Sequence, residues 1–212
     1  MTGMVLKTVP IGEYDRRVVI LTKERGKISA FAKGARKPNS RFVAATSLFA
    51  FGEFKMYEGR SSYNIMDADI SNYFAELRED FEAACYGMYF LELMDYYTRE
   101  NNEESGMLKL LYQSIRALMV KSLDRKLVRT VFEIKSLVIN GEYPGIPNGK
   151  TYSESTRYTM NYIEQSTVER LYTFTVTESV LQELLEIAES YRKKYMDREF
   201  KSLEVLRDVA GI

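Results

Sequence analysis

Arg17-Val18-Val19-Ile20-Leu21-Thr22-Lys23-Glu24-Arg25-Gly26-Lys27-Ile28-Ser29-Ala30-Phe31-Ala32-Lys33-Gly34-Ala35-Arg36-Lys37-Pro38-Asn39-Ser40-Arg41 holds a strand, a turn, a second strand and a loop in succession. Residues 17 to 22 form a β-branched run typical of a strand buried on both faces. Glu24 to Lys27 supplies turn chemistry, with Gly26 free to take positive φ. Ile28, Ala30 and Ala32 then alternate with Ser29, Phe31 and Lys33, the period of two expected when one strand face points inward and the other toward solvent. Lys33 to Arg41 follows, with four cations in nine residues, no acid, and Gly and Pro in its backbone. That composition predicts a mobile basic finger directed at phosphates.

Working outward, residues 4 to 8 read as a strand ending before Pro10, and Gly12 to Asp15 as a turn. Ser47 to Tyr57 is a long β-rich stretch with Gly52 at its middle, where a bulge would let the strand curve. Ser62 to Met66 is the return strand. Five strands linked by short turns in so short a span fit a closed barrel of the oligonucleotide-binding (OB) type better than a sandwich, which needs about seven strands. Most aromatics in this stretch belong to its core, and Phe31 is placed to stack on a base.

From Tyr73 the apolar period becomes helical. Leu77, Phe81, Ala84, Met88 and Leu91 mark a first, central helix that carries Cys85 as a buried hydrophobe. Met107, Leu110, Leu111, Ile115 and Leu118 mark a second helix, and Leu123, Leu127, Val131, Ile134 and Val138 a third. Spacing by four aligns Lys121, Arg125 and Arg129 as one cationic stripe on the third helix's solvent face, a dock for an acidic peptide or a second phosphate contact. Gly141 to Gly149, with three Gly and two Pro, ends that helix. A polar, weakly β-like stretch then runs to Thr173. Thr175 to Glu178 resembles a capping box before a helix with Val180, Leu181, Leu184, Leu185, Ala188 and Tyr191 on its apolar face, and Arg192, Lys193 and Lys194 complement that helix's dipole. A terminal helix carries Leu203, Leu206 and Val209. The expected class is α+β: a five-stranded OB-type barrel over 1–72, then a helical domain over 73–212 with a β or irregular excursion at 142–173.

Composition narrows the function. Residues 1 to 60 hold 12 Lys and Arg against 5 Asp and Glu, whereas residues 61 to 120 hold 4 against 11, so a net charge of zero conceals a basic front. One cysteine and no histidine exclude internal disulfides, cysteine-rich zinc sites and Ser-His or Cys-His catalysis. No apolar run reaches the roughly 18 residues of a membrane span and no secretory signal opens the chain, so a cytoplasmic protein without membrane contact is expected. Two rival readings stay open. One is a protein-interaction module whose basic loop merely solubilises it. The other is an enzyme using Asp67 and Asp69 near the barrel's end, although neither a metal framework nor a phosphate-cradling Gly motif accompanies them.

Four stretches together resemble the bacterial recombination mediator RecO family. They are Thr2-Gly3-Met4-Val5-Leu6-Lys7-Thr8; Gly12-Glu13 with Asp15-Arg16; Gly26-Lys27 leading to Lys33-Gly34-Ala35-Arg36-Lys37 and Ser40-Arg41; and Arg198-Glu199-Phe200-Lys201-Ser202-Leu203. Their order and spacing agree along essentially the whole chain. The resemblance implies an OB barrel joined to a helical domain, without catalytic activity or cofactor, in a cytoplasmic, nucleoid-associated protein. It further implies binding of single- and double-stranded DNA, annealing of complementary strands, and work with RecR to load RecA onto strands coated by single-stranded-DNA-binding protein (SSB). The acidic C-terminal tail of SSB would bind the helical part, where Lys121, Arg125 and Arg129 are the candidate contacts. Lys33, Arg36, Lys37 and Arg41 are the candidate DNA contacts, extended by Arg16, Arg17, Lys27 and Phe31. Many members carry a four-cysteine zinc module after the position of Gly149. Here Lys150 to Tyr172 has no cysteine, so no metal is expected, and a metal-free β excursion stabilised by tyrosines is expected in its place.

Overall fold

The computed structural model describes residues 1–60 and 62–210. Five strands, β1 (Thr2–Ile11), β2 (Asp15–Thr22), β3 (Gly26–Ala32), β4 (Phe51–Glu58) and β5 (Tyr63–Asn72), close a barrel in the order β1-β2-β3-β5-β4. Neighbours are antiparallel except β3 and β5, which meet in parallel at Ala30↔Tyr63 and Phe31↔Asn64. Alternation along the strands fills the interior with Val5, Val18, Ile20, Ile28, Ala30, Ala32, Phe54, Tyr63 and Ile65. β3 follows the expected period of two throughout its length, and β2 is buried on both faces from Ile20 to Thr22. An α+β chain with an N-terminal five-stranded closed barrel, as its pattern predicts, is the result.

Two glycines let the barrel close. Gly26 turns β2 into β3 at φ +64, and a Cβ there would stand 2.2 Å from the Arg99 carbonyl oxygen. At Gly52 the β4–β5 register shifts, and a Cβ would stand 2.1 Å from the Asp69 carbonyl oxygen. The bulge expected at that position is therefore also a site of backbone contact too close for any side chain.

Several boundaries differ from the sequence reading. β1 runs from Thr2 through Pro10 to Ile11, because β2 pairs with it as far as Ile11↔Asp15. The stretch from Ser47 does not become strand until Phe51; before it stand a short helix, α1 (Phe42–Ala45), and a bend with Phe49 at φ +69. That bend still serves the sheet, since Val5 N–H donates to Ala50 O and Phe49 N–H to Val5 O. β5 continues six residues beyond Met66, so Asp67 and Asp69 lie inside a strand rather than at its end.

The rest of the described chain is helical: α2 (Ala75–Glu79), α3 (Phe81–Tyr97), α4 (Ser105–Leu118), α5 (Arg125–Asn140), α6 (Glu154–Gln165), α7 (Glu178–Tyr195) and α8 (Lys201–Ala210). Gly211 and Ile212, included in the expected helical domain, lie outside the described residues. The chain forms two compact units, Met1–Glu79 with Leu91–Leu108, and Asp80–Phe90 with the residues from Lys109 onward. In the second unit α5 is the buried element: from Leu127 to Leu137 every residue is covered, and Phe132 stacks on Phe90 with ring centroids 4.1 Å apart. Asp124 caps its start by accepting from Lys126 N–H and Leu127 N–H, and Gly141 at φ +76 closes its end.

No strand forms between 142 and 173. α6 occupies that interval instead, capped by Ser153, with Thr156, Thr159, Met160 and Ile163 buried at helical spacing. Threonines on the inward face disguise it as β-like, and they are tolerated because their hydroxyls are satisfied: Thr159 donates to Ser155 O and Thr156 to Glu183. Lys135 of α5, only 6% exposed, donates to the carbonyl oxygens of Ile163, Glu164 and Ser166 and so secures the C-terminal end of α6. The capping box at Thr175 does not form, since α7 starts at Glu178 behind Thr177, whose side chain makes no capping bond. Arg192 also departs from a simple dipole role, with its side chain largely buried against Glu189.

Candidate nucleic-acid interface

Residues 33–41 are a loop, but not a free-swinging one. Gly34, at φ +66, donates its N–H to Asp15 Oδ1 at 2.7 Å, and Arg36 N–H donates to Tyr14 O at 2.8 Å. Ala35 between them is fully buried in the barrel core. The backbone of the finger is therefore pinned to the β1–β2 turn, whose Asp15 and Tyr14 supply the acceptors. Lys33, Arg36 and Lys37 project outward from this anchored frame and are exposed. Arg36 Nη1 also donates to Gly12 O at 3.2 Å, and the Lys37 ammonium sits 5.5 Å from the centre of the Tyr14 ring. Tyr14 is a contributor that sequence reasoning missed, hidden as an ordinary turn residue; a hydrogen bond with the Glu13 carboxylate raises its phenol pKa.

The other cations divide by partner. Arg17 is exposed on β2 and stands directly opposite Phe31 of β3. Arg16 is committed to structure, with Nη1 donating to Val43 O and Thr46 Oγ1, each at 2.8 Å. Arg41 donates to Met66 O at 2.7 Å, pairs with Asp67 at 2.9 Å and covers the Phe42 ring. Asp67 is thus the finger's counter-ion, and among the described residues no group of three His, Cys, Asp or Glu side chains is placed to hold a metal.

Lys27 does not extend the track. Its ammonium lies 3.2 Å from Asp95 Oδ1 and donates to Asp95 O at 2.5 Å, while Lys7 Nζ donates to Asp95 Oδ2 at 2.7 Å. Nothing local to Lys27 announces this, because Asp95 lies 68 residues further along the chain. Burial pushes the Asp95 carboxyl upward, but the hydrogen bond from Lys7 and the charges of Lys27 and Lys7 hold it below its ordinary value. A folded-state pKa below the unfolded one contributes stability above the unfolded carboxylate pKa of about 3.9, and that contribution fades as pH falls through the folded value. Asp95→Asn is therefore expected to flatten the loss of stability below about pH 4, read as urea midpoints against pH. An acid limb identical to the wild type would show that the clamp does not titrate.

In the second unit the expected solvent-facing stripe is absent. Lys121 lies in the turn before Asp124, ahead of α5, and is exposed. Arg125 opens α5 but is held by Asp80 and by Glu82, the latter at 2.7 Å. Asp80 is kept below the usual carboxylate range first by the Ala83 N–H and then by Arg125. Arg129 is only 8% exposed, with Nε 3.7 Å from Glu133 Oε1. Spacing by four is real from Arg125 to Arg129, yet it points into the unit rather than out of it.

The thiolate donors of a zinc module are missing. Cys85 is the single cysteine of the chain and is buried in α3, where desolvation raises its thiol pKa. The interval from Lys150 to Tyr172 holds α6 and its lysine cap, so these residues do not fit a tetrahedral metal site.

Comparison with known proteins was consistent across both halves. The family Recombination protein O N terminal matches residues 1–74, and Recombination protein O C terminal matches 78–146 and 145–204, the two pieces meeting at Gly145 and Ile146. The DNA repair protein RecO of Acetivibrio thermocellus is 31% identical over 246 aligned positions, covering 100% of this chain and 97% of that protein. That of Alkaliphilus metalliredigens is 26% identical, covering 98% of each. That of Symbiobacterium thermophilum is 33% identical over 144 positions, covering 68% of this chain and 57% of that protein. With a closed N-terminal barrel, a helical remainder, and family matches over almost all of the sequence, the chain belongs to the RecO family of DNA repair proteins.

Proposed function

We propose that this chain is a DNA-binding recombination mediator, acting by binding rather than by catalysis. The barrel region, 1–72, holds single- and double-stranded DNA through Arg17, Lys33, Arg36 and Lys37, with Phe31 beside them. Arg16 holds α1, and Arg41 ties the end of the loop to Met66 and Asp67 of β5. One observation carries this reading: those four cations are exposed and, among the described residues, none is paired with a carboxylate. Phosphates would be neutralised with release of counterions, a mechanism indifferent to sequence.

Two partly neutralised strands held near each other would anneal, and the same affinity would support loading of RecA, with RecR, on SSB-coated strands. The acidic SSB tail is assigned to the helical region, 73–212. There Lys121 would be the exposed contact, while Arg125 and Arg129 act from behind it, tied to their own carboxylates.

The test is a salt titration of binding to two unrelated oligonucleotides. Four phosphate contacts predict that log affinity for single strands falls with log salt at a slope of about 3, alike for both sequences. A labelled acidic tail peptide, titrated in parallel against Lys121→Ala, tests the helical half. Absent or salt-insensitive oligonucleotide binding would replace this reading with a protein-interaction module.

A further inference from the structure

The barrel wall offers more than the finger. Strand register aligns Val9 with Arg17, Arg17 with Phe31, Phe31 with Asn64, and Asn64 with Tyr57, so each of the five strands contributes one residue to a single continuous row. Their chain neighbours Val18, Ala30, Tyr63, Ile65 and Met56 pack into the core, which turns the row itself outward. Tyr57 is 64% exposed and Val9 42% exposed. An exposed tyrosine ring in line with an arginine, a phenylalanine and an asparagine is an unusual surface for water alone to cover. Glu58, next along β4, has its charge offset by Arg25 at 3.8 Å.

We infer that Tyr57 and Phe31 form a pair of stacking platforms for unpaired bases, with Asn64 between them and Arg17 beside Phe31, so that this wall distinguishes single strands from duplex. The inference rests on the nucleic-acid reading above and adds to it a selectivity that phosphate contacts cannot provide. The geometry supports it. Phe31 and Tyr57 sit two strands apart, roughly 10 Å from one backbone to the other. Bases stacked in a duplex repeat every ~3.4 Å and hide their faces from one another. Two rings so separated are therefore useful only to a strand whose bases are splayed, whereas Lys33, Arg36 and Lys37 meet phosphates of either form. Any base has a π-face, so the row carries no sequence preference.

Tyr57→Ala and Phe31→Ala each remove one platform. The expected result is a loss of about tenfold in affinity for single-stranded oligonucleotides, within the range measured for base–aromatic stacking. For Tyr57→Ala, duplex affinity and the slope of log affinity on log salt stay at wild-type values. The chain has no tryptophan, so Tyr57→Trp provides a single tryptophan at the site, excitable apart from the tyrosines. Its emission is expected to be quenched by saturating single-stranded oligothymidine and unchanged by duplex. Wild-type affinity of Tyr57→Ala for single strands overturns the inference, as do equal losses on both forms or an unquenched tryptophan in a variant that binds. If the wild-type chain binds no oligonucleotide at all, the parent reading fails instead, and this one with it.

Discussion

Gly52→Val is expected to destroy the barrel. A Cβ at this position would stand 2.1 Å from the Asp69 carbonyl oxygen and 2.6 Å from Ile70 Cα. Both obstacles are backbone, so no rotamer change relieves them. β4 would have to leave β5 along their longest shared ladder, and Phe54 and Ile65, which face the interior from those two strands, would be drawn out of the core with it. A loss of more than about 4 kcal/mol is expected, a large part of the 5–15 kcal/mol that holds a typical domain together. In thermal denaturation this appears as a midpoint lowered by at least about 10 °C, or as no cooperative transition. Gly12→Ala is the control. That residue also has positive φ, at +55, but its Cβ would meet nothing within 4 Å, so its cost should be only about 1 kcal/mol. Equal melting of Gly52→Val and wild type would mean that the two strands do not approach as described.

Much of the barrel was legible because its signals are local. The alternation of Ile28, Ala30 and Ala32, the turn glycine Gly26 and the bulge glycine Gly52 each encode geometry within a few residues. The far half of β5 was not, because the register shift at Met66 puts two exposed residues, Met66 and Asp67, in succession and breaks the period. Beyond it the half-buried Ala68 and Ile70 alternate with Asp69, a residue type that strands disfavour, and Ser71. α6 was missed because Thr156 and Thr159 replace aliphatic residues on its buried face, although Ser153 and the spacing to Met160 and Ile163 carried the helical signal. The stripe failed for a different reason. Asp124 sets the start of α5 and so detaches Lys121, and the carboxylates that bind Arg125 and Arg129 include Asp80 and Glu82, far away in the chain. Candidate DNA contacts were readable as charge density, but their availability was not. Whether a cation is free depends on tertiary partners, as Asp95 decides for Lys27 and Asp67 for Arg41.

The second large effect concerns function without stability. Arg36→Glu with Lys37→Glu alters two exposed side chains whose described contacts are a 3.2 Å bond to Gly12 O and a cation over the Tyr14 ring. The backbone bonds that pin the loop, Gly34 to Asp15 and Arg36 to Tyr14, do not use either side chain. Melting should therefore stay close to wild type. Binding should not. Losing two of four phosphate contacts lowers single-strand affinity by roughly 60-fold at about 50 mM salt, before any repulsion from the new carboxylates is counted.

The most direct measurement is the slope of log affinity on log salt for this double variant beside wild type, on the same oligonucleotide. Pairing of the anchored loop with the phosphate chain predicts a fall from about 3 to about 1.4, with folding intact. Superimposable titrations, in slope and in affinity, would place the DNA contact away from this loop and contradict the account.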